Sequence, residues 1–280
     1  MKTYTINNQK ELEQFKDEYG YKIDGNLIAN CPIDVTGRLL VSGYIKAGEY
    51  IKADEYIEAG KSIKADEYIE ASGSIEAGQY IEAGWYIEAG WHIEAGWHIK
   101  ASGSIEAGEY IEAGEYIKAG EYIKVGEYIK AGKSIKADEY IKAGWYIKAD
   151  WHIKAGGSIK AGEYIKAGKY IEASGSIEAG QYIEAGWYIE AGWHIKASGS
   201  IEAGEYIEAG EYIKAGDDYG ISAGLYITCK GELKYGLKCF AGICAWREIT
   251  NEEKTITCGK HSGGTIEYGI LKETGVLKTP

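Results

Sequence analysis

A six-residue period runs through most of this chain and dictates what it can fold into. Beginning with Tyr44-Ile45-Lys46-Ala47-Gly48-Glu49, one register holds through Asp217, giving 29 consecutive hexads of the form [Tyr/Ser/His]-Ile-[Lys/Glu]-Ala-[Gly/Asp/Ser]-x. Val125 alone replaces Ala at the fourth position. Ile and Ala stand two residues apart, the strand period, so both side chains point to one face while Lys or Glu between them points to the other. The fifth and sixth residues form a corner, where Gly, Asp and Ser are turn formers and Gly supplies backbone angles closed to other residues. A three-residue strand cannot bury its apolar face alone. Stacking coils so that Ile falls on Ile and Ala on Ala solves this, each buried Ile contributing roughly 1.5–3 kcal/mol. A helix is excluded, because an Ile every six residues drifts around a 3.6-residue turn and forms no stripe. The fold class expected is all-β, a parallel β-solenoid of six-residue repeats with three hexads per coil.

The register continues weakly beyond the perfect repeat. Leu27/Ala29, Ile33/Val35 and Leu39/Val41 take the inward pair upstream; after a two-residue slip at Asp218 and Tyr219, Ile221/Ala223, Ile227/Cys229, Leu233/Tyr235 and Cys239/Ala241 take it downstream. Asn8 followed by Glu11 reads as a capping box, opening a short helix with Leu12, Phe15 and Tyr19 apolar and ending at Gly20. Strand-like Thr255-Ile256-Thr257 and Thr265 to Ile270 read as a capping hairpin or small sheet. The organisation expected is a helical cap over 1–20, irregular first coils over 21–43, the regular solenoid over 44–217, irregular last coils over 218–245 and a β-rich cap over 246–280. The Ile-x-Ala-Gly runs resemble those of bactofilin-like solenoids and, more broadly, the hexapeptide-repeat β-helices. In the latter the inward pair has the opposite order, small before aliphatic, which leaves the handedness of the coil open.

Few motifs here carry chemistry. His92, His98, His152 and His194 each follow a Trp and fill the hexad slot otherwise held by Tyr or Ser. The resemblance to hexapeptide-repeat acyltransferases, which commonly use a coil histidine, makes these the candidates for catalysis. The uninterrupted hexads leave no loop to shape a pocket, so they read instead as variants of an exterior ladder. His92 and His98, one hexad apart, fall on different faces, which argues against a shared metal. Five scattered cysteines read as reduced, and Cys229, Cys239, Cys244 and Cys258 lack the paired spacing of a zinc knuckle. No phosphate-binding loop, nucleophile elbow or dinucleotide fingerprint is present. No catalytic residue, metal or cofactor is therefore expected.

The surface is more informative. Lys118, Lys124, Lys130, Lys136, Lys142, Lys148, Lys154, Lys160 and Lys166 occupy nine successive third positions, a basic belt. Residues 116–169 carry a formal charge of about +5, against about −8 for 68–115 and −7 for 170–217. Trp85, Trp91 and Trp97 fill three successive sixth positions, which on a three-sided coil ring the surface; Trp145/Trp151 and Trp187/Trp193 do so in pairs. Exposed tryptophans are enriched at interfaces. The bland alternatives are packing of the indoles against neighbouring Tyr, and a solvated surface whose lysines are balanced by Glu. A net charge of −12 disfavours direct binding to nucleic acid or anionic membrane. With neither a basic apolar leader nor a run of about 20 apolar residues, the chain reads as cytoplasmic. The leading expectation is a non-catalytic protein that binds a macromolecular partner, a protein, through its repetitive aromatic and charged surface, inhibition included. The alternatives are a self-assembling bactofilin-like scaffold, an acidic mimic of nucleic acid that inhibits its target, and, ranked last, an acyltransferase.

Overall fold

A computed structural model describes residues 1–275; the chain divides into two compact units, Met1–Asp138 and one that begins at Glu139. Each unit is a parallel β-solenoid of three strand ladders, and the register partner of a residue in the regular repeat lies 18 positions away. In the first unit Ile63 pairs with Ile45 and Ile81, and Ile99 with Ile81 and Ile117, on one face. Ile69 with Ile51 and Ile87, and Ile75 with Ile57 and Ile93, build the other two. In the second unit Ile171 pairs with Ile189, Ile177 with Ile195 and Ile183 with Ile201, each 18 residues on. Three hexads therefore make one coil.

Every hexad Ile is at most 1% exposed and every hexad Ala at most 7%, while Lys or Glu between them faces out. Corners join the ladders too: Gly96 N–H donates to the Ala77 carbonyl (3.1 Å) and Trp97 N–H to that of Gln79 (2.6 Å), so the turns as well as the strands satisfy their backbone groups on the next coil. The expected role of the corner glycines is not what the backbone shows. Among the described residues the glycines with positive φ are Gly20, Gly25, Gly37, Gly242, Gly263, Gly269 and Gly275, all outside 44–217. Close approach of coils selects glycine in the repeat instead, since a Cβ on Gly96 would stand 2.3 Å from the Gly78 carbonyl oxygen.

The first unit begins earlier in the coil pattern than the hexads suggest. Thr3–Ile6 is a strand pairing parallel with Asn26–Ala29, and Gly20–Ile23 pairs with Arg38–Val41, so Ile6, Tyr21 and Ile23 join the core. The short helix is a 3-10 segment, Gln9–Phe15, inserted within this first coil. Leu12 is fully buried and Phe15 packs edge-on to Tyr4 at 4.8 Å, but Tyr19 is 60% exposed under the Arg38 guanidinium. The capping box is rearranged: Asn8 makes no side-chain cap, and the Glu11 carboxylate accepts from Asn7 N–H (2.9 Å) and Asn8 Nδ2 (2.7 Å).

In the second unit the inward residues 221–241 are buried as the register requires. The strands beyond do not fold back as a hairpin. Thr255–Cys258 pairs parallel with Ile227–Cys229, Ile270–Glu273 parallel with Thr255–Cys258, and Lys260–Tyr268 parallel with Glu232–Ala241, as further coils. There polar groups enter two of the columns, while Leu271 continues that of Ile256 and Ile266 that of Cys239. His261 stands in register with Leu233 and accepts or donates through Nε2 to the Tyr235 hydroxyl (2.8 Å), and Glu273 stands in register with buried Cys258, its carboxylate accepting from His261 N–H (2.6 Å). No helix of the described residues is long and apolar enough to cross a membrane.

The 18-residue coil sets an expectation for deletions. Removing 86–103, one whole coil, keeps every column in place and leaves circular dichroism per residue and the melting temperature nearly unchanged. Removing only 86–91 turns all later hexads by one face and parts His92 from Ser74. A deletion of 86–103 that unfolds the chain would contradict this geometry.

Candidate interaction surface

The first-position residues form stacked columns. Tyr50, Tyr68 and Tyr86 lie parallel within 3° at 4.7 and 4.8 Å, and Tyr170, Tyr188 and Tyr206 at 4.9 and 4.8 Å. The spacing equals that between strands, so the coil rise places each ring on the next. Burial, then neighbouring glutamates and phenols, pushes the Tyr86, Tyr110 and Tyr188 hydroxyls up to about 12.

The four Trp-paired histidines join these columns. His98 stacks between Tyr80 (5.1 Å) and Tyr116 (4.7 Å), His152 on Tyr170, His92 on Tyr110 and His194 on Tyr212. His92 and His98 are on different faces. Two histidines also bridge serine and glutamate: His92 Nδ1 meets Ser74 Oγ (3.2 Å) and Nε2 meets Glu76 (2.9 Å), and His194 repeats this with Ser176 (3.2 Å) and Glu178 (3.1 Å). The sequence reading missed both triplets, although Ser 18 residues and Glu 16 residues before a first-position His is a legible pattern. A Ser-His-Glu chain invites a nucleophile reading. Here, however, Ser74 and Ser176 are only 7% and 5% exposed, covered by the next coil, so the hydroxyl orients the imidazole and offers an acyl carbonyl no approach. His152 has a different setting: burial, then Lys169 and Lys154, lowers its pKa. Its imidazole is expected to titrate below 6.5 by NMR; a midpoint above that value would contradict the packing.

Cys229, Cys239 and Cys258 are core residues whose thiols burial pushes up to about 12, 12 and 11. No group of three or more His, Cys, Asp or Glu among the described residues is placed to hold a metal ion. The surface depressions are open; the most apolar lies at Ile221, Leu237 and Phe240, where the two-residue slip interrupts the hexads.

The basic belt spreads over all three faces. In the first unit Lys118 and Lys136 are register partners on the face that also carries Lys100, while Lys124 and Lys130 take the other two. In the second unit Lys142 aligns with Lys160, Lys148 with Lys166, and Lys154 holds the third face. Five belt lysines end in ion pairs one coil away, among them Lys124 to Glu106 (3.1 Å), Lys154 to Glu172 (2.6 Å), Lys160 to Glu178 (3.0 Å) and Lys166 to Glu184 (2.8 Å). At such exposure each contributes about 0.2–1 kcal/mol. Much of the belt's charge is thus balanced within the molecule; Glu58, Glu76, Glu94 and Glu112 align in one column, where Glu112 pairs with Lys130 and Glu76 with His92.

The tryptophans stand at the corners. Trp85, Trp91 and Trp97 occupy three successive corners of the first unit, and the pairs Trp145/Trp151 and Trp187/Trp193 successive corners of the second. All seven are 43–61% exposed, and Trp85, Trp91 and Trp97 make no ring-to-ring contact with tyrosine among the described residues. Trp246, in the loop before Thr255–Cys258, is exposed to 61% and was not singled out from the sequence, lying outside the repeat. Trp151 and Trp187 share a corner column two coils apart. Between them the Lys169 ammonium lies 4.5 Å from one ring centroid and 5.1 Å from the other.

Comparison with models of protein families, with curated proteins and with solved structures finds no match.

Proposed function

We propose that the chain is a non-catalytic binding protein that engages a macromolecular partner, a protein, through its corner tryptophans, and that it acts by covering the partner's surface, inhibition included. The carrying observation is the contrast between the two aromatic sets: the tyrosines are used up in columns, whereas seven tryptophans project from the corners at 43–61% exposure. A large indole held on a short, hydrogen-bonded turn loses little freedom on contact and suits a binding anchor. The test is affinity capture from a host lysate, followed by reconstitution with the purified captured protein. Changing Trp85, Trp91 and Trp97 to Ala is expected to weaken that complex at least about tenfold; equal affinity would refute the reading.

A second reading, a bactofilin-like scaffold formed by self-association, is favoured by Lys142 and Lys148, which have no carboxylate partner among the described residues. It requires light scattering that rises with concentration and falls with salt. A monomer at every concentration would remove it.

A further inference from the structure

The seven repeat tryptophans are not equivalent. Trp85, Trp91 and Trp193 are exposed to 60%, 61% and 60%, the other four to between 43% and 51%. What separates the three is the corner residue one coil away. Trp85 has Gly103 on one side and Glu67 on the other, Trp91 has Gly73 and Glu109, and Trp193 has Gly175 and Glu211. Backbone hydrogen bonds fix each of these neighbours: Gly103 N–H to the Trp85 carbonyl (2.6 Å), Trp91 N–H to Gly73 (3.1 Å) and Trp193 N–H to Gly175 (3.1 Å). On the acidic side, Trp85 N–H donates to Glu67 (2.7 Å), Glu109 N–H to Trp91 (2.7 Å) and Glu211 N–H to Trp193 (2.6 Å). Each indole therefore has a glycine on one side and a glutamate on the other; at Gly103 the Glu121 carboxylate carbon comes within 3.8 Å of where a Cβ would stand.

The molecule itself shows what fills such a column. Where the corner between two tryptophans carries Lys169, its ammonium sits over both rings, and those two indoles, Trp151 and Trp187, are the least exposed of the seven. An ammonium or guanidinium over an indole is attracted by the ring quadrupole, and a neighbouring carboxylate adds to that attraction. At Trp85, Trp91 and Trp193 no cation of the chain plays this part among the described residues.

The charge around Trp91 and Trp193 is of one sign, whereas Glu82, in the hexad of Trp85, lies in register between Lys64 and Lys100 and pairs with Lys64 (3.2 Å). Trp85 and Trp91 lie in 68–115, formally about −8, and Trp193 in 170–217, about −7. The hexad of Trp91 contains Glu88, in register between Glu70 and Glu106. That of Trp193 contains Glu190, in register between Glu172 and Glu208, and burial together with those two carboxylates raises the Glu190 pKa. A positive group arriving there relieves a repulsion already present. Isolated indoles set among carboxylates suit neither an apolar surface nor a polyanion.

We propose that Trp85, Trp91 and Trp193, each between a glycine and a glutamate of adjacent coils, are docking points for the arginine or lysine side chains of a basic polypeptide. The proposal rests on the binding reading above and narrows its partner to a cationic segment.

The test uses the full chain with nona-arginine as probe and a nonapeptide of Gly and Ser as control, followed by tryptophan fluorescence and calorimetry at about 150 mM salt. Nona-arginine is expected to quench the fluorescence and bind, the control to do neither. Changing Trp85, Trp91 and Trp193 to Ala is expected to weaken binding at least tenfold with circular dichroism unchanged, whereas Trp151→Ala with Trp187→Ala changes it less than threefold. Glu109→Gln with Glu211→Gln is expected to weaken it severalfold. Equal affinity of the Trp85, Trp91 and Trp193 variant would reduce the attraction to net charge and overturn the proposal. So would the absence of nona-arginine binding while a captured partner is still lost with the tryptophans, an outcome that leaves the binding reading standing. Self-association abolished by the same three substitutions, with no peptide binding, would overturn it in favour of a second copy as occupant.

Discussion

Raising the pH from 9 through 12 is expected to unfold the chain in a steep transition, with Tyr86, Tyr110 and Tyr188 losing their protons only as the circular dichroism collapses. The cause is the tyrosine columns. In an unfolded chain a phenol loses its proton near 10; in the fold Tyr86, Tyr110 and Tyr188 hold theirs to about 12, because burial and nearby glutamates disfavour a phenolate. With folded values above the unfolded one, the unfolded state gives up protons first. Stability is therefore fully present below about pH 10 and is lost as pH rises through the folded values, by up to about 1.4 kcal/mol per pH unit for each proton difference. Stacking makes the loss collective, since each ring that ionises lies against another phenol or a carboxylate. Tyr86, Tyr110 and Tyr188 titrating near pH 10 with the dichroism intact would show that their columns are not buried as described.

Ile99→Asp is expected to break the first unit locally, at a cost of about 3–5 kcal/mol or more. Ile99 is 0% exposed and lies in register between Ile81 and Ile117, with Ala83 and Ala119 aligned beside Ala101. A carboxylate there meets only aliphatic groups and has no donor to satisfy it. Because each coil is held by its two neighbours, the break should divide one melting transition into two and open the chain to protease near residue 99. By contrast Ala107→Val, the neighbour of Val125 in its column, should cost little, since Val125 is accommodated at 5% exposure. A single unshifted transition for Ile99→Asp would mean that residue 99 does not face the interior.

How far the sequence could be read depended on periodicity. The Ile and Ala columns and the corner positions of Trp85, Trp91 and Trp97 follow from a strict six-residue spacing, because a one-residue error would expose every isoleucine; the number of hexads that close a coil does not follow from the period, and three is the expected geometry that the 18-residue register bears out. Where the period fails, reading failed with it. Tyr4 pairs with Leu27 at 23 residues rather than 18, the helix Gln9–Phe15 occupying the difference, so Thr3–Ile6 gave no signal of belonging to a coil. Ile256 pairs with Ile227 across a longer insertion that carries Trp246, and parallel pairing there was hidden by its irregular length. The Ser74-His92-Glu76 bridge and the glycines beside Trp85, Trp91 and Trp193 were present in the letters. They become visible only when the chain is written out in rows of 18.

The polar groups at His261 and Glu273 bear on what keeps this molecule from seeding its own aggregation. Parallel, in-register strands with identical side chains stacked at one spacing are the ingredients of a cross-β fibril. A fibril grows because its last layer offers the next one an apolar template. Here the last described layer is mixed: Leu271, 38% exposed, carries on the Ile256 column, while an incoming strand would also have to dehydrate an imidazole tied to the Tyr235 hydroxyl and a carboxylate in the register of buried Cys258. Polar groups in two of the columns thus weaken the template that this layer presents to a further strand.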